Sequence, residues 1–153
     1  MKNFSSTDCL KTDSSAAESL AGTKIKLSLF WKVAKFLSKQ KKVVKVCYPY
    51  KKNTPRYKLW KKYYSGASGL MGLRIKSKNK NSIKKFVNSL KLFGYGYSWG
   101  GFESLALHQS VSERGNRAYL DLDKNERMVR LHIGLEDPND LIKDLKNSLK
   151  FVK

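Results

Sequence analysis

Arg130 is the side chain in this sequence best suited to grip an anion. It lies in VRLHIGL (129–135), where Val129, Leu131, Ile133 and Leu135 alternate with Arg130, His132 and Gly134. A period of two puts the two sets on opposite faces of a strand. On the face away from the apolar set, a guanidinium presents a planar fork that can hold a carboxylate through two parallel hydrogen bonds. An ordinary solvated arginine satisfies the same spacing. The second candidate is YSWGGFESLALH (97–108). There Ser98 offers a hydroxyl and Trp99 a large flat ring, beside two glycines that let another backbone or a ligand come close. A core tryptophan closing a tight turn accounts for that composition as well.

Other chemistries find little support. His108 and His132 have no Asp or Cys at nucleophile-like or metal-like spacing, and we read both as structural or incidental. Cys9 and Cys47 fit no zinc or redox spacing, which suits a reducing compartment. There is no P-loop, G-x-G-x-x-G, H-E-x-x-H or C-x-x-C. The acids fall in the N-terminal segment, a loop and a helix start, so no paired-carboxylate site can be argued. No metal site is expected.

At 153 residues the chain fits one domain, or one domain with a tail, and can bury a core without disulfides. Its formal net charge is +20, and no acid occurs between Glu18 and Glu103. A basic face along the middle of the chain follows, and nucleic acid is one partner class it suggests. Only six of the 32 basic residues are Arg, however, and Lys is a poor forked ligand for bases or phosphates. A solvated lysine surface is the plainer explanation. The first residues contain no continuous apolar run, so they are not a secretory signal. LSLFWKVAKFL is interrupted by two lysines and too short to span a bilayer. A soluble, cytoplasmic protein is expected.

The elements that must position these residues can be read along the chain. Residues 1–24 are polar, with no apolar period, and 1–27 read as a poorly ordered tail. From about residue 28 a helix is predicted, with Phe30, Val33, Ala34 and Leu37 on one stripe. VVKVCY (43–48) reads as a strand, followed by a short basic and aromatic helix and a second strand at GLMGLRIK (69–76). An amphipathic helix then carries Ile83, Phe86, Val87 and Leu90, capped near Asn81 or Ser82 and stopped by Gly94. ESLALH is the third strand, 110–128 a polar loop, and 129–135 the fourth strand. Asp137 caps a final helix with Pro138 at its first position and Leu141, Ile142, Leu145, Leu149 and Val152 along its stripe. The order α, β, α, β, α, β, β, α implies an α+β fold, with helices packed on one face of a mostly antiparallel sheet. The other face is left to meet something.

LKLFGYGYSWGGFESLALH followed by VRLHIGLEDPNDLIKDLKNSL is more specific than any single feature. The combination resembles the C-terminal domain of cystathionine β-lyases, in the Cys/Met-metabolism family of pyridoxal-phosphate enzymes. WKVAKFLSKQKKVVKVCYP and WKKYYSGASGLMGLRIK look like that family in the same order. The resemblance covers roughly residues 30–153, and the Ser-Trp-Gly-Gly variant points to the β-lyase more than to γ-synthase or γ-lyase relatives. It implies the C-terminal small domain of a fold-type I enzyme, covering 28–153. It also implies roles: Arg130 matches the arginine that binds the substrate α-carboxylate, and Ser98 and Trp99 match the segment lining that pocket. The implied reaction is β-elimination of cystathionine to homocysteine, in transsulfuration and methionine biosynthesis.

The family's chemistry also needs a Schiff-base lysine, an Asp on the pyridine nitrogen, a ring-stacking Tyr and a phosphate cradle. In the family these belong to a larger upstream domain, and the first thirty residues here lack its pattern. The resemblance therefore implies an N-terminally truncated fragment, with no catalytic residue of its own, no covalently held pyridoxal phosphate, and no activity alone. A separately encoded cofactor-domain polypeptide is a possible partner, and family enzymes are homo-oligomeric. The rival reading is a basic nucleic-acid-binding module, with Tyr48, Tyr50, Tyr57, Trp60, Tyr63 and Tyr64 interleaved with lysines over 41–64 as its stripe.

Overall fold

The computed structural model describes residues 24–48, 50–52, 55–64, 68–97, 101–109 and 125–153. In chain order the elements are α1 (Lys24–Ser38), β1 (Val43–Cys47), α2 (Pro55–Tyr63), β2 (Leu70–Lys76), α3 (Lys80–Asn88), β3 (Gly94–Tyr95), β4 (Leu105–Gln109), β5 (Glu126–His132) and α4 (Pro138–Ser148). A 3-10 turn, Leu149–Phe151, follows α4. The five strands form one sheet in the order β1-β2-β5-β4-β3. Neighbours are antiparallel except β3 and β4, which run parallel at one edge. The expected α+β architecture is present.

Strand alternation determines which face closes. Leu73 and Met71 on β2 pair with Val129 and Leu131 on β5, and Ala106 on β4 pairs with Leu131. These side chains meet Phe30, Val33 and Leu37 of α1, Ile83 and Phe86 of α3, and Leu141 and Leu145 of α4 in a single core. Each large side chain buried here contributes about 1.5–3 kcal/mol relative to exposure. β1 breaks strict alternation: its register against β2 shifts between Val43 and Lys45, so Val43 and Val46 both face inward while Val44 is exposed.

The last helix is fixed at both ends. Asp137 Oδ1 accepts from the Asn139 and Asp140 N–H groups at 2.7 and 3.4 Å, and Pro138 occupies the first turn, as expected. At the other end Lys42 Nζ donates to the Leu149 and Val152 carbonyls at 3.1 and 2.6 Å, a cation on the negative end of the dipole. The buried Asp144 carboxylate accepts from Lys91 N–H and Leu92 N–H at 2.9 Å each, tying α4 to the segment after α3.

Several expectations are corrected. Residues 24–27, expected in the tail, belong to the backbone of α1; residues 1–23 lie outside the described residues. The cap of α3 is Asn79, not Asn81 or Ser82: its side chain accepts from Asn81 N–H at 2.8 Å. Gly94 does not merely stop that helix but begins a short strand, donating its N–H to Ser104 O at 2.9 Å. The strand expected at Glu103 starts at Leu105.

The fourth strand is also displaced. It begins at Glu126 and ends at His132, because Glu126, Arg127 and Met128 complete the ladder against Lys76, Ile75 and Arg74. The chain turns after Ile133, so Leu135 does not join the apolar face and is 57% exposed.

Candidate functional site

β5 lies at the centre of the sheet, and Arg130 at the centre of β5. Its register partners are Gly72 on β2 and Leu107 on β4, with Cys47 beyond Gly72 on β1. The row across the face away from the helices is therefore Cys47, Gly72, Arg130, Leu107, of which Leu107 is buried and the other three half-buried. Arg130 points away from the apolar face, as the alternation predicts, and is half-buried. The glycine flank carries no side chain of its own, and the space there is taken by the Met128 methyl and Cys47, which a Cβ on Gly72 would meet at 3.2 and 3.6 Å. The next row contains Lys45, Arg74, Met128 and Gln109. There Arg74 is committed to Glu126, with Nε 2.6 Å and a terminal nitrogen 2.5 Å from the same carboxylate oxygen.

On the other side of Arg130 the row is Leu70, His132, Leu105. His132 is only 4% exposed, and its Nε2 lies 3.2 Å from the Gly101 N–H and 3.4 Å from Gly101 O. It is buried structure rather than an incidental surface residue. Gly101 begins a segment clipped to the end of β5 at several points. Leu135 N–H donates to Phe102 O at 2.8 Å. Ser104 donates both N–H and Oγ–H to the Glu136 carboxylate, at 2.7 and 2.8 Å, and its Oγ accepts from Gly134 N–H at 2.9 Å.

This clip requires glycine at 134: a Cβ there would collide with Phe102 O, the Glu136 carboxylate and the Glu103 carbonyl carbon. Gly134, Ser104 and Glu136 are what the sequence reading missed. The available signal was a glycine and an acid directly after an alternating strand, matched by Glu-Ser before another.

Ser98 and Trp99 lie outside the described residues. The described residues flanking them are Tyr97 and Gly101.

The aromatic stripe is mostly packed. Tyr50 is buried, donates its hydroxyl to Ser68 O at 2.6 Å, and lies 4.9 Å from the Tyr48 ring and 5.1 Å from the Phe30 ring. Tyr57 and Trp60 stack on each other at 5.6 Å. Burial raises the Tyr48 and Tyr50 phenols above their ordinary range, Tyr50 far more, with the neighbouring Tyr48 adding to the shift. Only Tyr63 and Tyr64 of the six stand exposed. A base-stacking platform is not supported.

The family model for the Cys/Met metabolism PLP-dependent enzymes matches residues 29–150. The chain belongs to that family. A cystathionine β-lyase of Bordetella avium is 38% identical over 117 residues, covering 76% of this chain and 29% of that protein. An L-alanine/L-glutamate racemase of Wolbachia pipientis is 39% identical over 119 residues, again 76% and 29%. A mouse cystathionine γ-lyase is 40% identical over 124 residues, 77% and 30%. The chain thus spans under a third of the length of the curated relatives it matches. Among solved structures, a putative O-acetylhomoserine (thiol)-lyase from Campylobacter jejuni superposes with a TM-score of 0.67 at 28% identity, over 83% of this chain and 31% of that one. That structure contains a pyridoxyl-lysine monophosphate.

In the Cys/Met-metabolism family the cofactor is pyridoxal phosphate. The described residues do not fit that group. Their buried polar side chains are Ser77, Ser82, Ser104, His132, Asp144 and Ser148, with no lysine among them. Lys45 and Lys76, the lysines that share the Arg130 face, are exposed. The close backbone approach at Gly134, which elsewhere would suit a phosphate, is filled by Phe102 and Glu136. Among the described residues no helix is long and apolar enough to cross a membrane.

Proposed function

We propose that this chain is the substrate-carboxylate side of a pyridoxal-phosphate-dependent carbon–sulfur lyase of the cystathionine β-lyase type. Arg130 is the group that grips the α-carboxylate, and Ser98 and Trp99 line the same pocket. The observation that carries this reading is the position of Arg130: mid-sheet, half-buried, away from the core, with glycine as one lateral neighbour. A second support is Gly101, two residues after Trp99, which bonds to His132 on the face that holds Arg130. A forked Arg–carboxylate pair is worth about 1.5–3 kcal/mol per charged hydrogen bond and fixes the orientation of the bound acid. Fixed orientation is what proton abstraction next to a carboxylate requires.

The β-lyase assignment over γ-synthase or γ-lyase rests on the Ser-Trp-Gly-Gly sequence at 98–101. The substrate is then cystathionine, cleaved by β-elimination to homocysteine in transsulfuration and methionine biosynthesis, and the location cytoplasmic. Alone, the chain is inactive, since no described lysine is placed to hold the cofactor. Its natural complement is a cofactor-domain polypeptide. Tyr95, Tyr97, Phe102 and Leu135, each more than half exposed near the β3 edge and the 101–104 clip, are the surface for that complement.

Two assays test the reading together. Pyridoxal phosphate added to the purified chain should give no lysine-dependent absorbance band and no cleavage of cystathionine. Co-expression with a family cofactor domain should give a co-eluting complex on size exclusion that cleaves cystathionine, and Arg130→Met should abolish that cleavage. Cleavage by the chain alone, or a complex indifferent to Arg130, contradicts the proposal.

A further inference from the structure

We propose that the outer side of α2 is a docking surface for an anionic lipid bilayer, to which the chain adheres peripherally. The helix, Pro55–Tyr63, reads PRYKLWKKY, with four cations and no acid. No acid lies anywhere between Glu18 and Glu103, so nothing near α2 in sequence offsets that charge. The proposal shares no residue with the Arg130 reading and stands apart from it.

Helical spacing sorts the side chains of α2. Tyr57 and Trp60, three apart, face inward: their rings stack at 5.6 Å, and Trp60 lies 5.8 Å from the buried Tyr50 ring. Lys58 and Lys62, and beside them Leu59 and Tyr63, are pairs four apart that form two parallel stripes, all four side chains exposed. Leu59 is 59% and Tyr63 51% exposed, and Lys62 Nζ lies 5.2 Å from the Tyr63 ring centroid. Arg56, Lys61 and, ahead of the helix, Lys51 and Lys52 are exposed as well.

Inward packing accounts for Tyr57 and Trp60, but not for a leucine and a tyrosine set among cations on the outer side. By charge complementarity the occupant is anionic, and it must also accept apolar groups. A bilayer with anionic headgroups meets both demands. The ammonium groups reach its phosphates along apolar stems, while Leu59 and the Tyr63 ring enter at headgroup level. Lysine is a point charge, suited to a laterally mobile layer of phosphates that demands no register, and less suited to forked recognition. Nucleic acid would need open rings for its bases, and Tyr57 and Trp60 are stacked on each other. With two apolar side chains to insert, adhesion is shallow, reversible and dependent on charge.

The experiment sediments the full chain with vesicles of phosphatidylcholine, with and without phosphatidylglycerol, in low and high salt. Three variants accompany wild type, each checked for an unchanged circular dichroism spectrum. Lys58→Gln with Lys62→Gln removes the cationic stripe. Leu59→Ser with Tyr63→Ser removes the apolar stripe at constant charge. Lys84→Gln with Lys85→Gln, exposed on α3, removes the same charge elsewhere.

Wild type should bind the anionic vesicles at least about tenfold more tightly than the neutral ones, and release them in high salt. Loss of the cationic stripe should weaken binding about twentyfold, at about fivefold per lysine. Loss of the apolar stripe should weaken it about tenfold, and the α3 variant should stay within about twofold of wild type. No binding to anionic vesicles overturns the proposal. An equal loss in the α3 variant overturns it too, since overall charge would then be the cause, as does indifference to loss of Leu59 and Tyr63. If the same four side chains govern binding to polyaspartate or to an oligodeoxynucleotide while vesicles are ignored, the partner is an acidic polypeptide or a nucleic acid, and the lipid assignment falls.

Discussion

The two faces of β5 are made from alternate residues of one strand, yet they are organised differently. On one face Val129, Leu131 and Ile133 are fully buried beneath three helices. On the other, Met128 and Arg130 are half-buried and His132 is buried but bonded to a backbone peptide. The apolar face is held by volume and area, which tolerate conservative exchange of hydrophobes. The opposite face is held by directional bonds among few atoms, where one lost partner leaves a buried group unsatisfied. The difference leads us to expect stability to be concentrated on the first face, and the proposed function assigns recognition to the second.

The comparison can be broken most forcefully at Leu131. Leu131→Ala should cost about 2–5 kcal/mol, read as a shifted urea midpoint, while leaving any carboxylate binding by the folded fraction intact. A loss under 1 kcal/mol would mean that the helical face is not where stability resides.

Gly134→Ala should cost about 1–3 kcal/mol, because the added methyl group overlaps Phe102 O and the Glu136 carboxylate. Unlike the Leu131 change, it should also spread or weaken the resonances of Gly101 through Ser104, since those residues hang on the same clip.

Alkaline pH sharpens the contrast from the core side. Burial raises the Tyr50 phenol above its ordinary value, so the neutral form is favoured in the folded state. Its contribution is then intact below about pH 10 and lost as pH climbs further, at up to about 1.4 kcal/mol per pH unit for one proton. Tyr50→Phe should flatten that decline while lowering the baseline by about 1 kcal/mol, through loss of the bond to Ser68 O. Urea midpoints at pH 8 and pH 11 for both chains decide it.

The smallest stability effect should come from Arg130→Met, within about 0.5 kcal/mol of wild type by thermal melting. If removing Arg130 instead destabilised the domain as Leu131→Ala does, its place would be structural and the division between faces would fail.

Much of the core was legible because helical and strand periods are strong local signals. The stripe Phe30, Val33, Ala34, Leu37 and the set Val129, Leu131, Ile133 all lie where their spacing puts them. Element ends were less legible, because they depend on partners distant in sequence. Glu126 enters β5 through its ladder with Lys76 and its pair with Arg74. Leu135 leaves the apolar face because Gly134 turns the chain onto Phe102. At the site, the side from which Arg130 projects could be read from alternation, but the bond from His132 to Gly101 could not. The two are 31 positions apart, and no periodicity links them. The six-residue aromatic stripe likewise gave no hint that Tyr50 is buried, since its cover comes from Phe30 of α1.

The most direct test of the carboxylate grip is a titration of the full chain with L-cystathionine and, separately, its carboxamide, followed at the Arg130 Nε–H resonance. We predict saturable shifts in the millimolar range with the acid, none with the amide, and none with either after Arg130→Met. Equal responses to acid and amide, or acid-induced shifts elsewhere that survive loss of Arg130, would contradict the assignment of this face to an amino-acid substrate.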